Sequence, residues 1–132
     1  MRFSPLRSWL AYSMHSSMMR VMEEILINRS GTPLQLSFNR PEKLNALTRG
    51  MYAELARALD DAAGDFAIRA VLLSGEGGNF TSGNDIRDFM DDPPTSEDST
   101  VAKFLSAMLN FPKPLIAAVS GNAIGVGTTM LL

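Results

Sequence analysis

Apolar positions along the chain follow two different periods. Met51, Leu55, Leu59 and Ala62 recur at three- and four-residue spacing, which predicts one helix over Arg49–Ala63 with a single buried stripe. Thr48 can cap its start, and Gly64 stands where a helix stop belongs. A second helical face, Val101, Phe104, Leu105, Met108 and Leu109, ends at Pro112 and Pro114. Thr95 and Asp98 have capping-box spacing ahead of it, with Asp in place of the usual Glu. Asp85–Met90 reads as a short helix, broken by the acidic loop Asp91-Asp92-Pro93-Pro94.

Between the helices lie short apolar runs of strand length. Glu24–Asn28 and Leu34–Asn39 predict a hairpin about Ser30-Gly31-Thr32-Pro33, with Pro41 stopping the second strand. Ala70–Ser74 and Leu115–Val119 are continuous enough to be buried strands. The order is hairpin, helix, strand, Gly-rich loop, helix, strand, Gly-rich turn, helix. This is an α/β chain without an internal repeat or an evident linker.

Two glycine-bearing segments fall where strands hand over to helices: Ser82-Gly83-Asn84-Asp85-Ile86 and Gly121–Thr129. Such turns expose unpaired backbone N–H groups and favour negative charge beside them. Two of them about 40 residues apart can share one developing oxyanion, as on a thioester carbonyl. The alternatives at this stage are a plain turn capped by Asp85, and close helix–strand packing at Gly121–Gly127. The second segment spaces its glycines Gly-x-x-x-Gly-x-Gly, unlike a dinucleotide fingerprint, and the chain has no P-loop.

Bulk composition narrows the picture. The 132 residues are 45% hydrophobic and 20% charged, with a net charge of -2, which gives no reason to expect a nucleic-acid partner. Zero cysteines exclude disulfides and thiolate metal sites and fit a reducing compartment. The only histidine, His15, lies in Met1–Met22, an acid-free, Arg- and Ser-rich stretch read as a leader or a disordered segment, with an organelle signal as the alternative. No run reaches the ~18 apolar residues of a membrane span. The acids from Asp88 to Asp98 lack calcium-loop spacing, and no metal site is expected.

Asn39-Arg40-Pro41-Glu42-Lys43-Leu44-Asn45-Ala46-Leu47, Ala70–Glu76, Ser82–Ile86, Phe111–Val119 and Gly121–Thr129 together resemble, in order, the signature segments of the crotonase (enoyl-CoA hydratase/isomerase) superfamily. The Ser-Gly-Asn-Asp segment, acidic Pro-Pro loop and Phe-Pro-Lys-Pro look most like its peroxisomal-type delta-3,delta-2-enoyl-CoA isomerases. The resemblance implies a (ββα)n spiral core over residues 23–132, stopping before the carboxy-terminal helical region. It implies an acyl-CoA substrate, no cofactor beyond its coenzyme A, and a homotrimer or hexamer when full length. Apart from the resemblance, the location is read as cytoplasmic, with mitochondrial or peroxisomal alternatives.

By resemblance, the backbone N–H groups of Asn84 and Val126 form the oxyanion hole, with the Asn84 side chain incidental. Ser82, Gly83, Asn84, Asp85, Ile86, Gly125, Val126 and Thr129 line the substrate, and carbonyls near Ser82 and Asn84 receive the adenine amino group. Arg40, Lys43 and Leu44 meet coenzyme A, with Arg87 a further phosphate candidate; solvated surface charge is the plain alternative for the three cations. Thr129 stands where classical hydratases carry one of two catalytic glutamates, and the other falls past Leu132. Moving a proton between carbons needs one carboxylate and hydration needs two, which favours isomerase over hydratase. A non-catalytic acyl-CoA-binding or association protein is the remaining alternative. Thr129→Glu is expected to leave acyl-CoA binding nearly unchanged and to add slight hydration of a short-chain enoyl-CoA; unchanged hydration would remove Thr129 as the deciding position.

Overall fold

The computed structural model describes residues 23–132, and the leader reading of Met1–Met22 lies outside the described residues. The hairpin forms as its pattern predicts: β1 (Ile25–Asn28) pairs antiparallel with β2 (Leu34–Phe38). Helix α1 (Arg49–Gly64) then crosses over, so that β3 (Val71–Gly75) lies parallel to β2. After α2 (Ile86–Asp91) and α3 (Thr100–Leu109), β4 (Leu115–Ala117) adds parallel to β3. The sheet order is β1-β2-β3-β4, and a last turn of helix, α4 (Val126–Thr129), follows.

The core is the meeting of the α1 stripe with the sheet. Met51, Leu55, Leu59 and Ala62 are fully buried, with Leu34, Leu36 and Phe38 of β2 and Val71 of β3. Phe104 is the fully buried anchor of α3, which packs across α1. Burying each such side chain contributes about 1.5–3 kcal/mol.

Three expectations are corrected. The start of α3 is set by Ser99, whose hydroxyl accepts the Ala102 N–H at 3.2 Å, and Thr95-Asp98 forms no box. Ser99 is itself a strong cap, and Pro93-Pro94 lead into a turn in which Ser99 donates to the Ser96 carbonyl. Leu109 is 86% exposed. Five residues beyond Phe104, it sits about 140° around the helix from the buried face. Gly64 is the last residue of α1, not a left-handed stop beyond it; an extended Asp65 follows, its N–H on the Ala62 carbonyl.

Lys113 completes that helix end. Its ammonium donates to the carbonyls of Ala62, Asp65 and Ile68 at 2.6, 2.6 and 2.7 Å. A point-like cation with three donors gathers one carbonyl of the last turn of α1 and two just beyond it, and the helix dipole favours positive charge there. Lys113 precedes β4, so this contact ties the α1 exit to the outer strand. Lys113→Met should cost about 1.5–3 kcal/mol, the range for hydrogen bonds to a charged group. Urea unfolding followed by circular dichroism measures it, and an unchanged midpoint would show the contact to be idle.

Candidate active site

The site begins with the loop of residues 40–47, whose Leu47 is buried in the core. Residues 40–47 turn through two left-handed positions, Leu44 (φ 51°) and Asn45 (φ 56°). Asn45 is fully buried and makes this loop rigid. Its Oδ1 accepts the Arg40 N–H at 2.8 Å, and its Nδ2 donates to the carbonyls of Glu76 and Asn79, both at 2.8 Å. Its own carbonyl accepts the Thr81 hydroxyl at 2.6 Å. One side chain thus ties the 40–47 loop to the glycine loop after β3.

The first glycine segment is then laid against residues 44–47. Ser82 donates its N–H to the Leu44 carbonyl at 3.0 Å, Leu47 donates to the Gly83 carbonyl at 2.8 Å, and Asp85 donates to the Leu47 carbonyl at 2.9 Å. Gly83 and Asp85 therefore face Leu47, and Asn84 faces the opposite way. The Gly83 carbonyl and the Asn84 N–H belong to one planar trans unit, so fixing the carbonyl on Leu47 aims the N–H away from it. Among the described residues, the Asn84 N–H meets no acceptor, and the carbonyls of Ser82 and Asn84 meet no donor.

The second segment is built by the same logic. Thr81 donates to the Asn122 carbonyl at 2.9 Å and accepts the Ile124 N–H at 3.1 Å. Gly125 adopts φ 60°, ψ -121°, a conformation open to glycine and costly for other residues. Its carbonyl accepts N–H groups of Thr128 and Thr129 at 3.0 and 3.1 Å, which aims the Val126 N–H out of the helix start. Among the described residues that N–H also lacks an acceptor. The two segments touch: a Cβ added at Gly83 would lie 3.2 Å from the Ile124 carbonyl oxygen, and one added at Gly125 would lie 3.9 Å from Gly83 Cα. At Gly127 an added Cβ would come within 2.6 Å of Thr81 Cγ2, so α4 sits directly on the strand-like Thr81.

The remaining sequence-named residues divide in two. Lys43 and Arg87 are exposed, Leu44 is 47% exposed, and Ile86 is 75% exposed. Thr129 is exposed, its hydroxyl 3.3 Å from the Gly125 carbonyl. Arg40 is committed inward: Nη1 donates to the Ala46 carbonyl at 2.7 Å and to Asp85 Oδ2 at 3.0 Å, and Nε lies 3.9 Å from Glu24. It holds the first glycine segment from behind and is not surface charge. The Asn84 side chain has a partner within the fold, its Oδ1 accepting the hydroxyl proton of Tyr52 at 2.5 Å.

Asp85 has both oxygens occupied, one by the Asp88 N–H at 3.0 Å and the other by Arg40. Its pKa is held below the ordinary carboxylate value, first by that backbone hydrogen bond at the start of α2 and then by Arg40. A depressed folded value means that this stabilisation is present at neutral pH. It is lost as pH falls from the ordinary Asp value of about 3.9 through the lower folded one. Asp85→Asn keeps a capping side chain and removes the titrating charge. The variant should be less stable than the parent at pH 7 and lose less stability on acidification below about pH 4. Urea midpoints taken across the acid range give the comparison; parallel curves would contradict it.

Tyr52, Asn45 and Thr81 are the residues that sequence reasoning passed over. Tyr52 carried a readable signal, since a phenol beside a buried stripe requires a partner for its hydroxyl. Asn45 and Thr81 act through loop contacts some 31–36 residues away, which no local pattern announces.

Residues 29–132 match the family described as enoyl-CoA hydratase/isomerase. The chain is 37% identical over 116 residues to human enoyl-CoA delta isomerase 2, covering 83% of this chain and 29% of that protein. It is 37% identical over 119 residues to 1,2-epoxyphenylacetyl-CoA isomerase of Escherichia coli (strain K12), covering 85% and 45%. The solved structure of Pseudomonas aeruginosa OdaA superposes with a TM-score of 0.79 at 52% identity, covering 83% of this chain and 44% of that one. This chain therefore spans less than half the length of these relatives. Motif order, backbone geometry and these matches agree, and the chain belongs to the enoyl-CoA hydratase/isomerase, or crotonase, family.

Proposed function

We propose that this chain supplies the thioester-binding half of an enoyl-CoA isomerase. The observation that carries the reading is the pair of free N–H groups on Asn84 and Val126, each with the carbonyl of its own peptide unit tied down, on two segments in contact. Such a pair suits one oxygen that gains negative charge. When a carboxylate removes the α proton of a 3-enoyl thioester, the electrons move onto the carbonyl oxygen as a dienolate. Returning the proton at the γ carbon gives the conjugated 2-enoyl thioester. Donors fixed beforehand stabilise the charged intermediate without reorganising at the moment of reaction.

The carboxylate is not Asp85, whose two oxygens are engaged. With Thr129 in place of a hydratase glutamate, the reading assigns proton transfer to one carboxylate outside the described residues. The occupied state of Asp85 also favours a second reading, in which this chain alone binds acyl-CoA without turning it over.

Lys43, Leu44 and Arg87, exposed near the first segment, are proposed to meet coenzyme A, and the free carbonyls of Ser82 and Asn84 its adenine amino group. Arg40 is better read as their support. Coenzyme A enters as part of the substrate, with no separate cofactor. Assembly as a trimer or hexamer, when full length, is part of the same proposal. No described helix is long and apolar enough to cross a membrane. The location proposed is cytoplasmic, with mitochondrial and peroxisomal alternatives.

Val126→Pro tests the hole directly. Proline is well tolerated at the first position of a helix, so the change deletes one N–H and spares α4. In the full-length enzyme, delta-3 to delta-2 isomerisation should fall roughly a hundred- to a thousandfold, as for loss of one oxyanion donor. A turnover within twofold of the parent would rule out the Val126 amide as a donor. Acyl-CoA binding without turnover by the parent would favour the second reading.

A further inference from the structure

Tyr52 is out of place as a purely structural residue. It lies on the first turns of α1 and is fully buried, its ring 6.0 Å from Phe89 of α2 and 5.4 Å from Phe104 of α3. A phenylalanine would fill that aromatic cluster without burying a hydroxyl, which costs free energy unless paired. The hydroxyl is paired, and its partner is the side chain of Asn84, an exposed residue 32 positions away. Burial pushes the Tyr52 phenol well above its ordinary pKa, so it stays a neutral donor.

The start of α1 therefore grips Asn84 from two directions. Leu47, next to the cap Thr48, takes the carbonyl of Gly83 and the N–H of Asp85. Tyr52, whose own N–H donates to the Thr48 carbonyl at 3.1 Å, takes the side chain. Backbone contacts set the plane of the 83–84 peptide unit, and the side-chain contact restrains rotation about the Asn84 Cα.

We propose that Tyr52 is a positioning residue for the thioester site: through the Asn84 side chain it holds the Asn84 Cα in place, so that the N–H whose direction the Gly83 carbonyl contact sets stays aimed at the substrate oxygen. This rests on the acyl-CoA reading above. The interaction matters when charge develops on that oxygen and much less for ground-state binding, because a misaligned donor loses most where the acceptor is strongest.

A 3-oxoacyl-CoA is a suitable probe, since its enolate absorbs in the near ultraviolet and reports stabilised charge without needing a catalytic carboxylate. The bound probe is titrated with pH on the full chain carrying Tyr52→Phe, Asn84→Ala, or both. On the parent it should ionise at lower pH than free in solution. Tyr52→Phe should raise that pH by about one unit, roughly tenfold in enolate stabilisation, the size of one lost hydrogen bond. The dissociation constant of the neutral probe should change less than threefold. Asn84→Ala should raise it similarly, and the double variant should add nothing, because both changes break one contact.

A Tyr52→Phe protein that ionises the probe like the parent overturns the proposal and leaves the acyl-CoA reading standing. A parent that does not shift the probe's ionisation defeats that reading itself. Should Tyr52→Phe fail to fold by circular dichroism, Asn84→Ala at its exposed position decides alone: parental behaviour there overturns the proposal.

Discussion

A trans peptide unit holds its carbonyl and its N–H on opposite sides, so whatever binds one end aims the other. The site described here depends on that constraint, used twice. Leu47 holds the Gly83 carbonyl, and the N–H groups of Thr128 and Thr129 hold the Gly125 carbonyl. The Asn84 and Val126 N–H groups are thereby directed before any ligand arrives. Asn84 is exposed and Val126 half-buried, so water meets both N–H groups in the free chain and a substrate oxygen can take its place.

Most of the surrounding structure makes those two carbonyl contacts possible. The core of α1 against β2 and β3 sets the position of Leu47. Asn45 joins the 40–47 loop to the loop after β3, and Arg40 with Asp85 fastens the first glycine segment to it. Thr81 carries the second segment and contacts Gly127. Glycine is needed at 83 and 125 because both turn the chain through positive φ, 98° and 60°, and at 83 an added Cβ would also come within 3.2 Å of the Ile124 carbonyl oxygen.

The fold was legible wherever a period was long enough to read. The α1 stripe and the hairpin appear within a residue or two of their expected limits. Boundaries set by competition were less legible. Thr95 was the cap expected ahead of α3, and the helix took Ser99, four residues on. Leu115–Val119 shortened to Leu115–Ala117, because pairing to β3 ends there while its apolar composition continues. At the site, glycine spacing located the two segments, since unusual backbone demands glycine. The supports stayed hidden. Arg40 looks like any surface cation until Asp85 and Ala46 are beside it, and the contact of Tyr52 with Asn84 spans 32 residues. Long-range polar contacts leave no local trace in composition or period.

The most direct test of the paired-amide claim is a proton–nitrogen NMR titration of the isotope-labelled chain with a saturated acyl-CoA. Both the Asn84 and the Val126 amide protons should move downfield, along the same binding curve, as they acquire a shared acceptor. If one moves and the other stays, or both stay while neighbouring residues respond, the two N–H groups do not share a thioester oxygen.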